Sequence, residues 1–164
     1  MSVPIEIAGE EVLDELRPLW LALVRHHASV APEEGPPRSD DEAWRRRRAL
    51  YGEWIGEEDA FVAVARDGRD GRAVGYAFVT LNGAGATWGR PERFGYVESL
   101  ALLPEARGDG TGRALLRAVW DEVERVGASE VRLGVLAANA PARGFYEALG
   151  FRPFELTVRA TRRP

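Results

Sequence analysis

The stretch that decides the fold is residues 100–116, which read LALLPEARGDGTGRALL. An apolar segment typical of a strand ends at Pro104, and a glycine-rich loop then leads directly into a run with helical spacing. The glycines let the backbone turn tightly and approach a ligand, because no Cβ atom stands in the way. The free N–H groups and the positive dipole end of the following helix favour an anion such as a pyrophosphate.

Other interpretations of this loop stay open. It could serve packing alone, or belong to a dinucleotide-binding unit, although its spacing is Gly-x-Gly-x-Gly rather than Gly-x-Gly-x-x-Gly. All 22 basic residues are Arg, and the absence of Lys excludes both a Walker A loop and a Schiff-base lysine. The chain has 0 Cys, which excludes disulfides, thiolate nucleophiles and Cys-ligated zinc.

The rest of the chain predicts a mixed α/β arrangement around one sheet. Strands are predicted over Val3–Ala8, Phe61–Ala65, Ala73–Leu81, Phe94–Leu103, Glu130–Ala137 and Phe151–Ala160. Helices are predicted over Glu10–Val30, Asp40–Ile55, Thr111–Val126 and Ala140–Leu149. Pro18 falls inside the first helix and is expected to bend or split it.

The bulk properties predict one soluble domain over residues 1–164. The formal net charge of -4 argues against a nucleic-acid partner, because such proteins are normally strongly basic. No window approaches 18 apolar residues, and the first ten residues lack the features of a signal peptide. We therefore expect a cytoplasmic protein with no membrane contact.

Residues 100–116 resemble the acetyl-CoA motif of the GCN5-related N-acetyltransferase (GNAT) superfamily. The family pattern is Arg/Gln-x-x-Gly-x-Gly/Ala, and Arg107, Gly110 and Gly112 match it position by position. A second block, residues 139–151, is similar to the family's later motif, in which an Asn precedes a short helix that carries a Tyr and ends in Gly-Phe. The element order extends the likeness to nearly the whole chain.

The resemblance implies a central, mostly antiparallel sheet of about six or seven strands, flanked by about four helices. It also implies that two splayed strands hold acetyl-CoA, with no metal. Backbone groups of the strand that ends at Leu102 would pair with the pantetheine arm. The glycine-rich loop would hold the pyrophosphate, and an Asn would also bind the arm. The cofactor-binding residues implied are Leu100, Ala101, Leu102, Arg107, Gly108, Asp109, Gly110, Thr111, Gly112, Arg113 and Asn139.

The same resemblance implies transfer of an acetyl group to a primary amine by direct attack. Tyr146 matches the family position for the acid that protonates the leaving thiolate, although its spacing alone also fits a core aromatic. Glu98 is the candidate base, because Tyr96, Glu98, Leu100 and Leu102 would share one face of a regular strand. A salt-bridged surface carboxylate is an equal alternative for Glu98. The Leu102 N–H is the candidate oxyanion donor.

The acceptor is expected to be a small molecule or a peptide amine, and many relatives dimerise through their last strands, so a homodimer is an option. The competing function is a non-catalytic acyl-CoA-binding or sensing domain. The remaining polar and aromatic features have ordinary explanations. His26 and His27 fit a polar helix end, Arg45 to Arg48 a solvated helix face paired with acids, and Trp54 and Trp88 core or loop packing.

Overall fold

The computed structural model describes residues 3–57 and 59–163. Its strands are β1 (Ile5–Ala8), β2 (Ala60–Arg66), β3 (Ala73–Gly83), β4 (Arg93–Leu102) and β5 (Val131–Leu133). Its α-helices are α1 (Arg17–Val30), α2 (Asp40–Gly56), α3 (Thr111–Arg125) and α4 (Ala140–Ala148). The predicted mixed α/β class is confirmed.

The first predicted helix is split, as Pro18 suggested. A 3₁₀ helix spans Glu10–Leu16, and α1 begins directly after it at Arg17. Pro18 lies in the first turn of α1, where its missing N–H costs no intrahelical hydrogen bond. Ser39 begins α2, because its side chain accepts a hydrogen bond from the N–H of Glu42.

The strands form a single sheet in sequence order, β1-β2-β3-β4-β5. The first four strands are antiparallel neighbours, and β5 is parallel to β4 because α3 connects the two strands as a crossover. One face of the sheet packs against α1 and α2 through Val62, Val64, Tyr76 and Phe78. We call this the α2 face, and we call the opposite face, which packs against α3, the α3 face.

The α3 face is packed so closely that a side chain of α3 lies directly against the sheet backbone. A Cβ atom added at Gly95 would lie 2.5 Å from Val123 Cγ2 and 3.3 Å from Val79 Cγ1. Leu115, Val119 and Val123 of α3 are fully buried. Aliphatic contacts therefore fix α3, and with it the loop that precedes α3.

A β-bulge interrupts the regular alternation of β4. Phe78 of β3 opposes Ser99, and the next residue, Val79, opposes Val97, so Glu98 is the extra residue on β4. Paired residues share a face of the sheet, so Val97 lies on the α3 face and Ser99 on the α2 face. The bulge thus shifts the alternation of β4 by one residue.

The predicted common face of Tyr96, Glu98, Leu100 and Leu102 is therefore wrong. Tyr96 pairs with Thr80 on the α2 face, whereas Leu100 and Leu102 pair with residues of the α3 face. The prediction assumed an unbroken two-residue period, and the bulge at Glu98 breaks it.

The pairing between β4 and β5 is short. It joins Gly95–Val97 to Val131–Leu133 and stops where the bulge begins. The predicted strand Glu130–Ala137 is thus too long, because the bulged backbone of β4 no longer offers a parallel partner. Residues 98–102 of β4 consequently have one edge that β5 does not cover.

The predicted last strand, Phe151–Ala160, is also wrong. Residues 151–160 take part in none of the strand pairs of the described chain, and Pro153 has no N–H to donate to a neighbour. Leu156 and Val158 alternate as in a strand but are 80% and 82% exposed. The sheet therefore has five strands instead of the predicted six or seven.

The chain divides into two compact units, Met1–Gly134 and Val135–Pro164. The first unit contains the sheet with α1, α2 and α3. The second contains α4, followed by the extended segment. No helix of the described residues is long and apolar enough to cross a membrane.

Candidate active site

Three buried hydroxyl groups meet on the α2 face. The Tyr51 hydroxyl of α2 lies 2.5 Å from the Ser99 Oγ of β4 and 3.4 Å from the Tyr76 hydroxyl of β3. The Tyr51 ring is held by stacking on Phe78, with 3.8 Å between ring centroids. Burial raises the pKa of both Tyr51 and Tyr76, so the two phenols keep their protons at neutral pH. We call Tyr51, Tyr76 and Ser99 the hydroxyl cluster.

The candidate base, Glu98, is oriented by neutral donors beside this cluster. Thr80 Oγ1 donates a 2.8 Å hydrogen bond to Glu98 Oε1, and Asn82 Nδ2 donates a 3.0 Å hydrogen bond to Thr80 Oγ1. Burial is the main cause of the raised pKa of Tyr51, and the charge of Glu98 adds to it as a lesser cause. The two side chains are therefore electrostatic neighbours. None of the ion pairs within residues 3–57 and 59–163 involves Glu98.

Among the described residues, this half-buried carboxylate is thus held by a neutral hydroxyl group and not by a guanidinium. Its place at the bulge also fixes its direction. The hydrogen bond to Thr80 brings the carboxylate onto the α2 face, next to the end of the β4–β5 pairing at Val97.

The glycine-rich loop has a fixed backbone shape. Gly108 and Gly110 have φ of 82° and 94°, in the left-handed region that favours glycine. Asp109 Oδ1 accepts hydrogen bonds from the Thr111 N–H at 3.0 Å and from Thr111 Oγ1 at 2.7 Å. These hydrogen bonds lower the pKa of Asp109 and hold the first turn of α3. Gly112 is buried in that turn, and an ordinary side chain at Gly108 or Gly110 would strain the loop.

Arg107 ties this loop to the end of β4. Its Nε and Nη2 atoms donate hydrogen bonds of 3.2 and 3.0 Å to the Leu102 carbonyl. The Leu103 N–H donates to the Val74 carbonyl on the β3 side, and backbone groups alternate along a strand. The Leu102 N–H and carbonyl are therefore directed to the opposite edge, which β5 leaves uncovered.

The other predicted cofactor residues of the first unit have varied exposure. Leu100 is half-buried on the α3 face, and Ala101 is buried in the core under α1 and α2. Arg113 is exposed in the first turn of α3.

The second unit contains the two remaining predicted site residues. Asn139 is buried and begins α4, because its Oδ1 accepts a 3.3 Å hydrogen bond from the Ala142 N–H. The Tyr146 ring packs against Phe145 and Phe151, with 5.3 and 5.7 Å between ring centroids. Burial raises the pKa of Tyr146, so its hydroxyl is protonated at neutral pH and can donate a proton.

Residues 20–151 match the Acetyltransferase (GNAT) family. The chain belongs to this family. It is 29% identical over 161 residues to a mycothiol acetyltransferase from Acidothermus cellulolyticus, a match that covers 91% of this chain and 47% of that protein. It is 43% identical over 61 residues to the [ribosomal protein bS18]-alanine N-acetyltransferase of Escherichia coli, covering 37% of this chain and 40% of that protein.

This GNAT chain thus spans less than half the length of the curated relatives it matches. Its fold is similar to that of the aminoglycoside N-acetyltransferase AAC(6')-Iy solved in complex with CoA. That likeness has a TM-score of 0.68 at 19% identity and covers 98% of this chain and 100% of the other.

Several polar residues around the candidate site of this GNAT chain were missed by sequence reasoning. Tyr51, Tyr76, Thr80 and Asn82 were assigned no role, although alternation along β3 places its three members on one face. The hydrogen bond from Thr80 to Glu98 depends on the bulge, which no local pattern of residues predicts. The signal that could have found them is the polar run itself, because buried polar side chains on a strand require hydrogen-bond partners.

The tryptophan and histidine residues with ordinary explanations remain outside the candidate site of this GNAT chain. Trp54 packs against Phe78, with 5.9 Å between ring centroids, and Trp88 is 76% exposed. The rings of His26 and His27 are 6.2 Å apart. The described residues contain no group of three or more His, Asp or Glu side chains that could hold a metal ion.

Proposed function

We propose that this GNAT chain transfers the acetyl group of acetyl-CoA to a primary amine by direct attack within a ternary complex. The observation that carries the proposal is the glycine-rich turn at the N-terminus of α3, beside an edge of β4 that β5 leaves uncovered. A strand edge offers hydrogen bonds to the amides of a pantetheine arm, and the helix N-terminus attracts its pyrophosphate. Family membership supports the same reading.

In this proposal the backbone of Leu100 to Leu102 and the side chain of Asn139 hold the pantetheine arm. The pyrophosphate is held by backbone N–H groups of the loop, with the exposed charge of Arg113 nearby. Two N–H groups of the loop already have internal partners, because Arg107 N–H donates to the Pro104 carbonyl and Thr111 N–H donates to Asp109. The N–H groups proposed to contact phosphate are those of Gly108, Asp109, Gly110 and Gly112.

Acetyl-CoA supplies the activated acyl carbon and a thiol leaving group. The amine must lose a proton to become a nucleophile, because a free alkyl ammonium has a pKa of about 10. Glu98 takes that proton, directly or through a water molecule, and passes it to solvent, so that the neutral amine can attack the carbonyl carbon. Once the C–N bond has formed, the same carboxylate accepts the second proton that the nitrogen loses. The Leu102 N–H stabilises the charge on the carbonyl oxygen. As the C–S bond breaks, the Tyr146 hydroxyl protonates the sulfur, and solvent restores the Tyr146 proton.

Thiol release from acetyl-CoA, measured against a panel of primary amines, tests the proposal directly. The chain has 0 Cys and no Lys, so every thiol detected comes from CoA and no protein lysine competes as acceptor. Tyr146→Phe keeps the ring that packs on Phe151 but removes the acid, and we expect kcat to fall by about 10²-fold or more. The exposed neighbour variant Glu147→Gln should retain full activity.

The outcome also separates the enzyme from a binding domain. Acetyl-CoA at about a hundred times its Kd should stabilise the fold by about 2.7 kcal/mol in both cases. Stabilisation without turnover on any amine would favour the sensing domain, and the absence of stabilisation would contradict both functions.

Glu98→Gln tests the proposed base. Gln keeps the shape and still accepts the Thr80 hydrogen bond, so we expect the fold to persist while kcat/KM falls by about 10²-fold. The acidic limb of the pH profile should disappear at the same time. Glu124→Gln, on the exposed side of α3, is the matched control. An unchanged pH profile would exclude Glu98 as the base.

We propose that residues 1–164 form one acetyltransferase domain and that the protein is located in the cytoplasm. The acceptor is proposed to be a small-molecule or peptide amine. A homodimer that forms through residues 151–160 stays a prediction, supported by the exposed, alternating apolar side chains Leu156 and Val158. Light scattering on the chain and on Leu156→Glu checks it, since the charge should shift a dimer toward monomer.

A further inference from the structure

One arginine of the basic run on α2 lies on the inner side of that helix. Trp44, Arg47 and Tyr51 are spaced by three and four residues, so they share one face of α2. Trp44 and Tyr51 are buried, and Arg47 between them is half-buried. A charged side chain is costly on such a face unless it has a partner.

The partners of Arg47 are aromatic rings. Its guanidinium carbon lies 5.6 Å from the ring centroid of Trp20 and 5.4 Å from that of Tyr51. No carboxylate of residues 3–57 and 59–163 forms an ion pair with Arg47. Rings beside a guanidinium hold its orientation while its N–H donors stay able to bind a planar anion.

The neighbouring arginines of the run behave differently. Arg46 pairs with Glu42 at 3.0 Å, and Arg48 pairs with Asp14 at 2.6 Å. The expected solvated face paired with acids is therefore confirmed for these two residues. Arg47 differs from both, because it lies against the Tyr51 ring of the hydroxyl cluster.

The charges of Arg47 and Glu98 have opposite effects on the pKa of the same hydroxyl group. The charge of Arg47 lowers the pKa of the Tyr51 hydroxyl and that of Glu98 raises it, both as lesser causes after burial. Contacts connect the two charged residues as well, because Arg47 lies against the Tyr51 ring and the Tyr51 hydroxyl contacts Ser99, the residue next to Glu98. A ligand bound beside this cluster would meet the Glu98 carboxylate with one end and the Arg47 guanidinium with the other.

We propose that Arg47 binds the anionic end of the acceptor, which is an amine that also carries a carboxylate. Glu98 receives the amine end, and the Arg47 guanidinium, framed by Trp20 and Tyr51, receives the carboxylate. This inference rests on the proposed acetyl transfer and names the substrate class for that same site.

The experiment compares matched acids and amides as acceptors. The probes are glycine, β-alanine and 4-aminobutyrate, each beside its primary amide, which keeps the length and removes the negative charge. The quantity measured is kcat/KM for the acid divided by kcat/KM for the amide. Intrinsic differences in amine basicity cancel when this ratio is compared between variants.

We expect the wild-type ratio to exceed that of Arg47→Gln by about tenfold or more for at least one chain length, because Gln cannot bind a carboxylate as a cation. Arg47→Lys should retain part of the ratio, since it keeps the charge and loses the fork of donors. Arg45→Gln, an exposed change on the same helix with no ion pair among the described residues, should keep the wild-type ratio.

Turnover of amines with an equal ratio in wild type and Arg47→Gln would overturn the inference. An equal fall for acids and amides would also overturn it, because it would show a structural role only. Failure of every amine would contradict the proposed function itself, and this inference with it. If Arg47→Gln does not fold, propionate should inhibit the wild type more strongly than propionamide, and equal inhibition by the two would overturn the inference.

Discussion

The two faces of the β3–β4 pair are built from different chemistry. The face under α3 includes Val79, Val97 and Gly95, and at Gly95 the Val123 side chain of the helix lies directly against the strand backbone. Under α2, the same strands present Tyr76, Thr80 and Ser99, all buried and hydrogen-bonded. The bulge at Glu98 separates the two patterns along β4. On this strand pair the α3 face is therefore aliphatic, whereas the α2 face combines apolar core residues with a cluster of buried polar groups.

The difference also concerns how each face stabilises the fold. Aliphatic burial contributes about 25 cal/mol per Å² of apolar surface and needs no partner geometry. A buried hydroxyl gains only about 1 kcal/mol net from its hydrogen bond, but its partner loses about 1–3 kcal/mol when left unsatisfied. The α3 face should thus tolerate substitutions according to volume, and the α2 face according to hydrogen-bond partners.

The largest expected effect lies on the α3 face. Leu115→Ala removes a fully buried side chain, and we expect the free energy of unfolding to fall by about 2–5 kcal/mol. Urea denaturation measures it. Arg117→Ala, exposed two residues along the same helix, should change it by less than about 0.5 kcal/mol. A loss below about 1 kcal/mol for Leu115→Ala would contradict the close packing of the α3 face.

The second prediction adds volume where the first removes it. Gly95→Ala places a Cβ atom 2.5 Å from Val123 Cγ2, a stiff branched side chain, and should cost about 1–3 kcal/mol. Gly85→Ala is the control, because no atom lies within 4 Å of the added Cβ. Equal melting temperatures for the two variants would mean that α3 can move away from the sheet at little cost.

On the α2 face we expect coupling instead of a simple loss. Tyr51→Phe leaves the Ser99 hydroxyl without its 2.5 Å partner, and Ser99→Ala does the same to Tyr51, each costing about 1–2 kcal/mol. The double variant removes both partners, so it should cost clearly less than the two single losses added together. Additive losses in a double-mutant cycle would argue against a cooperative hydroxyl cluster.

Most of the fold can be predicted from the sequence, because most of its elements depend on local patterns of residues. Spacing and turn chemistry predict the helix α3 with the glycines before it, the hairpin of β2 and β3, and the break at Pro18. The same reasoning failed at residues 151–160, where alternating apolar residues indicate a strand. Whether such a segment pairs depends on a neighbour that the local sequence does not contain.

The candidate site shows the same limit at the scale of single residues. The role of Glu98 as base stays a prediction, whereas the predicted face of its neighbours is wrong, because a bulge depends on the register between two strands. The donors Thr80 and Asn82 become neighbours of Glu98 only through that register. Arg47 differs from Arg46 and Arg48 through its tertiary surroundings, which the repeated letters of the run do not reveal.

The smallest expected effect lies at the turn that follows β4, where stability should depend on pH. Hydrogen bonds from Thr111 lower the pKa of Asp109, so the ionised carboxylate stabilises the fold above the ordinary Asp pKa of about 4. That stability is lost as the pH falls through the lowered pKa. Melting curves from pH 7 to pH 3 should show wild type more stable than Asp109→Asn at pH 7, with the difference shrinking toward pH 3.

Substitutions at Thr111 sharpen this prediction, because they change the donor and leave the carboxylate in place. Thr111→Val keeps the buried volume but removes the hydroxyl donor, so the pKa of Asp109 should move back toward its ordinary value and the pH dependence should weaken. Thr111→Ser keeps the donor and should keep the pH dependence. If both variants titrate like the wild type, the backbone N–H of residue 111 alone accounts for the lowered pKa. The turn would then be held by main-chain geometry, like the rest of the glycine-rich loop, and not by side-chain chemistry of the kind found on the α2 face.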